Sequence, residues 1–200
     1  MKILQNEMYY KGFEMIIYIH GFASSGLSNK AREFKEYFKD DLITPSLSNI
    51  PILAIHTLED LINIFLSRGE KVYLIGSSLG GYYSLYLANK YNLKAVLINP
   101  ALTPKKTLNK FYNFGLVKNY FDNSNFEITK EQFQSLDKLE VSLIQNPKNI
   151  MALIQKGDEI IDYKDSVKVL KECEIFVEEN GNHSFENISN HFIKINNFFN

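Results

Sequence analysis

Gly76-Ser77-Ser78-Leu79-Gly80-Gly81 lies between the apolar run Val72-Tyr73-Leu74-Ile75 and a helix-like segment, Tyr82 to Lys90. A G-x-S-x-G motif therefore falls on a strand-to-helix turn, the setting in which a strained backbone lifts a serine hydroxyl above the end of a parallel sheet. Ser78 is the expected nucleophile, and Ser77, one position earlier, is out of its register. Gly76 and Gly80 have a steric reason to be glycine, because such an elbow brings strand and helix backbones close together. The competing readings are a plain tight turn and a phosphate-binding loop. The second fails, since no lysine follows Gly80 or Gly81 and G-x-G-x-x-G is absent.

On either side, short apolar runs alternate with amphipathic stretches. Strands are expected over Met15 to His20, Leu42 to Thr44, Lys71 to Gly76, Leu93 to Ile98, Ile150 to Gln155 and Cys173 to Val177. Helices are expected over Lys30 to Lys39, Leu53 to Arg68, Tyr82 to Lys90, Ser166 to Glu172 and Ile188 to Phe198. This alternation predicts one α/β domain over residues 15–200, a mostly parallel sheet flanked by helices. It breaks between Asn99-Pro100 and Asn149, where a long polar stretch carries the aromatic clusters Lys110 to Phe114 and Asn119 to Phe121. A helical, aromatic insert is expected there, its rings packing onto the sheet or walling an acyl pocket. Residues 1–14 read as an extension, an edge strand or hairpin arm, unless Met15 is the true start.

A serine hydroxyl holds its proton tightly and needs a base within hydrogen-bond reach. Imidazole, with an ordinary pKa near 6.5, suits the task. His183 follows the last expected strand in Glu179-Asn180-Gly181-Asn182-His183-Ser184-Phe185, and Gly181 permits the turn that aims it back. His191 and His56 fall in amphipathic helices and read as packing or partly solvated residues. The third member must accept the imidazole N–H. Asp158, in Lys156-Gly157-Asp158-Glu159 at a strand's carboxyl end, is favoured. Asp162 is its rival, although with Asp165 three residues on it resembles a helix cap. The order Ser78, Asp158, His183 is that of α/β-hydrolase triads. His20-Gly21-Phe22 closes the first core strand, so the N–H groups of Phe22 and Leu79 are expected to hold the oxyanion, with His20 orienting the turn. His20, Gly21 and Tyr82 are expected to border the substrate pocket.

The composition narrows the classes. Twenty-two basic residues against 23 acidic ones give a net charge of −1, with no basic cluster to bind nucleic acid. The single cysteine, Cys173, excludes an internal disulfide and reads as a buried, inert thiol. Histidines at 20, 56, 183 and 191 have no metal-ligand spacing, so no metal is expected. Met15 to Ile19 is too short an apolar run for a signal sequence or a membrane span, and a cytoplasmic enzyme fits best.

The chain resembles the YqiA-like esterases, a small α/β-hydrolase family. The resemblance is carried by Tyr18-Ile19-His20-Gly21-Phe22 with Ser24-Ser25, by Gly76 to Tyr83 with its double tyrosine, by Asn99-Pro100-Ala101, by Gly157-Asp158-Glu159 with Asp162-Tyr163, and by Gly181 to Phe185. It spans Met15 to the C-terminus and implies hydrolysis of small carboxylic esters, including thioesters, without a cofactor, with Ser78, Asp158 and His183 at the family's triad positions. An acyl-CoA thioesterase or acyltransferase, and a hydrolase-like binding scaffold, are the alternatives.

Overall fold

The computed structural model describes residues 14–108 and 116–200. Six strands form one sheet: β1 (Glu14–Ile19), β2 (Leu42–Ile43), β3 (Lys71–Ser77), β4 (Lys94–Ile98), β7 (Ile150–Gln155) and β8 (Glu174–Glu178), in the order β2-β1-β3-β4-β7-β8. Every pairing in it is parallel. The register pairs Ile19 with Gly76 and Ser77 with Ile98, which aligns the carboxyl ends of the central strands.

Alternation along the strands explains how the sheet is covered. Ile17, Ile19, Val72, Leu74, Ala95, Leu97, Ala152 and Ile154 face a core with α2 (Pro51–Ser67) and α3 (Leu79–Tyr91). The intervening residues, among them Ile16, Tyr18, Tyr73, Ile75, Val96 and Leu153, face α1 (Asn29–Phe38) and α7 (Phe192–Phe199). Each face buries a contiguous apolar set, the main favourable contribution to folding at about 25 cal/mol per Å² of apolar surface removed from water. The strand order reverses between β1 and β3, since the chain steps outward from β1 to β2 and then returns to the other side of β1. That switch point opens a crevice beyond the strand ends, where ligands of open parallel sheets bind.

Helix α3 begins at Leu79, three residues before the stretch that periodicity identifies. Gly80 and Gly81 are poor helix formers and read locally as a turn. Tertiary packing overrides that preference, because a Cβ at Gly80 would run into the Ile19 carbonyl, and at Gly81 into Pro100. The segment expected as a helix over Ser166 to Glu172 instead forms α6 (Tyr163–Val169), capped by the Asp162 carboxylate accepting from the Lys164 N–H at 3.0 Å.

The insert after β4 is not purely helical. It contains α4 (Pro104–Leu108), an antiparallel hairpin of β5 (Leu116–Lys118) and β6 (Asn125–Glu127), and α5 (Lys130–Gln134), which starts in a reciprocal Thr129–Gln132 capping box. Phe133, Leu136 and Leu139 pin it into the core, and the Tyr82 hydroxyl donates to the Leu136 carbonyl at 2.9 Å. Tyr120 and Phe121, read as packing aromatics, are exposed. Lys110 to Phe114 and the extension before Glu14 lie outside the described residues. Among the described residues no helix is long and apolar enough to cross a membrane.

Candidate active site

Ser78 follows β3 with φ 55° and ψ −119°, in the left-handed half of backbone space that a side chain adopts only under constraint. Such a conformation costs about 1–3 kcal/mol and persists only where neighbours enforce it. Here the Ser78 N–H donates to the Ile98 carbonyl at 3.0 Å, while the Ser78 carbonyl accepts from the N–H groups of Gly81 (2.9 Å) and Ala101 (3.0 Å). A Cβ at Gly76 would meet the Gly80 backbone, so the two glycines let strand and helix approach.

His183, in the loop after β8, brings Nε2 to 3.0 Å from the Ser78 hydroxyl. Its Nδ1 lies 2.8 and 3.0 Å from the two carboxylate oxygens of Asp158. A carboxylate only accepts, so Nδ1 carries the ring proton and the Nε2 lone pair faces the serine. The Asp158 side chain is 2% exposed, and its Oδ1 also accepts from the N–H groups of Ile160 and Ile161, each at 2.8 Å. Asp162 is occupied as the cap of α6 and plays no part in this chain of contacts.

The loop that presents His183 hangs from two buried amides that end neighbouring strands. Asn99 donates through Nδ2 to the carbonyls of Asn182 (2.9 Å) and His183 (3.3 Å), and its Oδ1 accepts from the Gln155 N–H (2.9 Å). Gln155 accepts through Oε1 from the N–H groups of Asn182 and Glu186, and donates to the Glu186 carbonyl. Gly181 has φ 92°, and a Cβ there would collide with the Gln155 side chain. The Glu159 carboxylate accepts from the His183 N–H at 3.0 Å. Sequence reasoning gave Asn99, Gln155 and Glu159 no role. The available signal was a carboxamide ending each of two otherwise apolar runs, Ile98-Asn99 and Ile154-Gln155.

On the other side of Ser78, the loop after β1 carries His20, Gly21 and Phe22. His20 is 5% exposed; its Nδ1 donates to the Gly21 carbonyl (2.8 Å) and its Nε2 accepts from the Leu47 N–H (2.9 Å). Burial holds its imidazole below the ordinary histidine range, against the Gly21 hydrogen bond. Neutral and bonded at both nitrogens, it ties the loop to the segment before α2. The insert hairpin grips the same loop: the Tyr120 N–H donates to the Ala23 carbonyl at 2.8 Å, Asn119 reaches the Ser24 carbonyl, and the Phe126 ring meets Phe22 edge-on at 5.7 Å. The Leu79 N–H stands at the first position of α3, where a helix offers its amides no internal acceptor. A shallow recess is bordered by His20, Gly21, Phe22, Leu79 and Tyr83. Tyr82 is not on its wall; that ring is buried beneath the insert. Cys173, just before β8, is half-buried, and burial pushes its thiol up to about 11.

The model of UPF0227, an uncharacterised protein family, matches residues 15–200. The chain belongs to that family. Among UPF0227 proteins, YcfP of Salmonella gallinarum is 26% identical over 192 residues, covering 92% of this chain and 98% of its own length. VP0969 of Vibrio parahaemolyticus is 27% identical over 93% of this chain and 99% of its own length. Among solved structures, a putative hydrolase from Agrobacterium vitis superposes with a TM-score of 0.72 at 15% identity, over 94% of this chain and 88% of its own. Est1E from Butyrivibrio proteoclasticus, solved with ferulic acid, gives 0.66 at 11% identity over 94% and 87%. A monoacylglycerol lipase from Paleococcus ferrophilus gives 0.62 at 16% identity over 92% and 93%. At such identities the likeness is one of fold, and this UPF0227 chain has the α/β-hydrolase fold.

Proposed function

We propose that this UPF0227 protein is a serine hydrolase that cleaves small carboxylic esters or thioesters through an acyl-Ser78 intermediate. The observation that carries this reading is the unbroken contact chain from the Ser78 hydroxyl through His183 to Asp158. As Oγ bonds to the acyl carbon, its proton passes to His183 Nε2, and Asp158 stabilises the imidazolium that results. The carbonyl oxygen turns negative and is held by the N–H groups of Phe22 and Leu79, donors whose individual loss typically costs about 100- to 1000-fold in turnover. The intermediate collapses, His183 returns the proton to the departing alkoxide or thiolate, and the acyl group stays on Ser78. Water, deprotonated by the same imidazole, then releases the acid.

A fluorophosphonate probe tests the reading without knowledge of the substrate, since it forms an O–P bond to an activated serine and expels fluoride. The wild type is expected to be labelled at Ser78, and Ser78→Ala to be inert. A folded wild-type sample that resists the probe would favour a binding scaffold. Paired oxygen- and thioester substrates of equal acyl length separate esterase from thioesterase.

A further inference from the structure

His191 is buried at the end of the 3-10 turn Ile188–His191 that leads into α7. Its Nε2 lies 2.9 Å from Oε1 of Glu178, the last residue of β8, and the other carboxylate oxygen, Oε2, accepts from Gln155 Nε2 at 2.7 Å. A carboxylate only accepts, so Nε2 of His191 carries a proton in either charge state of the ring. Moving that proton to Nδ1 would bury an N–H that meets no partner among the described residues. Proton transfer at Ser78 uses neither residue. They form a second imidazole–carboxylate pair, and it ends on the amide that carries the His183 loop.

Gln155 and Glu178 are register partners on adjacent parallel strands, so their side chains leave the sheet on one face, the face that Leu153 and Phe176 share with α7. On the far side of the Gln155 amide, Oε1 accepts from the N–H groups of Asn182 and Glu186, which flank His183-Ser184-Phe185. Were the amide turned over, its NH2 would face those two donors, and its oxygen would face the Glu178 carboxylate and the Glu186 carbonyl. The loop needs such enforcement, because Gly181, Phe185 and Asn187 all stand at positive φ, 92°, 62° and 57°. Glu178 is the charged partner of the amide, and charge-assisted hydrogen bonds are about twice as strong as neutral ones. Its side chain is 41% exposed, and the bond to His191 holds it at the strand end rather than out in solvent. The His191 ring also meets the buried ring of Phe185, two residues after the base, edge-on at 5.5 Å.

We propose that Glu178 and His191 are positioning residues for the base: the pair fixes which way the Gln155 amide faces, and that amide in turn holds His183 at Ser78. The inference rests on the reading of Ser78 as the nucleophile. Neither residue touches a reacting atom, so both act on kcat through Gln155 and leave substrate binding alone. In Glu178→Gln, the two donors from His191 and Gln155 compete for one amide oxygen, and one of them is left facing an NH2 group.

The experiment is a double-mutant cycle on the whole chain, reading kcat and KM for one small ester well below the melting temperature, with the reactive fraction counted by fluorophosphonate labelling of Ser78. Glu178→Gln keeps the shape of a half-exposed side chain, and His191→Phe keeps a ring beside Phe185. Each is expected to lower kcat roughly three- to tenfold, with KM within about twofold. In the Gln155→Leu background neither is expected to lower kcat further by more than about twofold, because the amide they orient is gone. Losses that multiply in that background, a change confined to KM, or either single variant matching the wild type would overturn the proposal. If Gln155→Leu fails to fold, the combination of Glu178→Gln with His191→Phe decides. It is expected to stay within about twofold of Glu178→Gln alone, since His191 acts through Glu178, whereas multiplied losses overturn the proposal. A folded wild type whose Ser78 resists the probe would instead defeat the parent reading.

Discussion

The imidazole Nε2 of His183 sits 3.0 Å from the hydroxyl of Ser78, although the two residues are separated by 105 positions in the chain. That contact spans β3 and β8, which have β4 and β7 between them in the sheet. Ser78→Ala should lower ester turnover by about 10⁴-fold or more, as loss of a triad member does elsewhere. Ser77→Ala should remain labelled at Ser78 and lose less than about tenfold, since all it removes is the hydroxyl that accepts a hydrogen bond from Lys30 Nζ. Equal losses in the two variants, measured by kcat with folding verified by circular dichroism, would place the nucleophile wrongly.

Asp158 and Asp162 are separated by an opposite pair of outcomes. Asp158→Asn puts an amide donor against Nδ1, which drives the ring proton to Nε2 and removes the lone pair that Ser78 needs; kcat should fall by about 10⁴-fold with little change in KM. Asp162→Ala loses the cap of α6 and should cost about 1 kcal/mol of stability, with turnover retained. Kinetics and thermal melts on the two variants check both halves.

Much of this architecture is legible in the sequence. The six strands follow from apolar runs of the right length, and the order Ser78, Asp158, His183 follows from residues placed at strand ends. What is not legible has physical causes. The Asn99 and Gln155 amides act through contacts with a loop that follows a later strand, and no periodicity encodes such a partner. The start of α3 is hidden because glycines chosen for close approach look like a turn. The insert hairpin is three residues per strand, too short for alternation to register.

The amide pair makes a separable prediction. Gln155→Leu removes the side chain that bonds Asn182 and Glu186, freeing the loop without touching Ser78, Asp158 or the imidazole. A displacement of about 1 Å at a reacting group can cost on the order of 100-fold, so kcat should fall by roughly 10- to 100-fold with KM nearly constant. Asn99→Ala should act in the same direction. A change confined to KM would assign these residues to substrate binding instead.

The buried Lys30 amine predicts that stability depends on pH. Its folded value of about 8 lies below the unfolded lysine value, so charging it costs folding free energy at neutral pH, and that cost is relieved as pH rises through about 8 towards 10. Relative to Lys30→Met, the wild type should therefore gain thermal stability as pH rises through about 8 towards 10. A wild type that loses stability relative to the variant over that range would contradict the sign.

The loop bearing His183 is suspended from Asn99, one residue past β4, and from Gln155, the last residue of β7, so the contact between His183 and Ser78 is tied to the pairing of those two strands. On the proposed reading of Ser78, molecules frayed there would carry a dormant alcohol, and heat inactivation should coincide with the parting of those two strands.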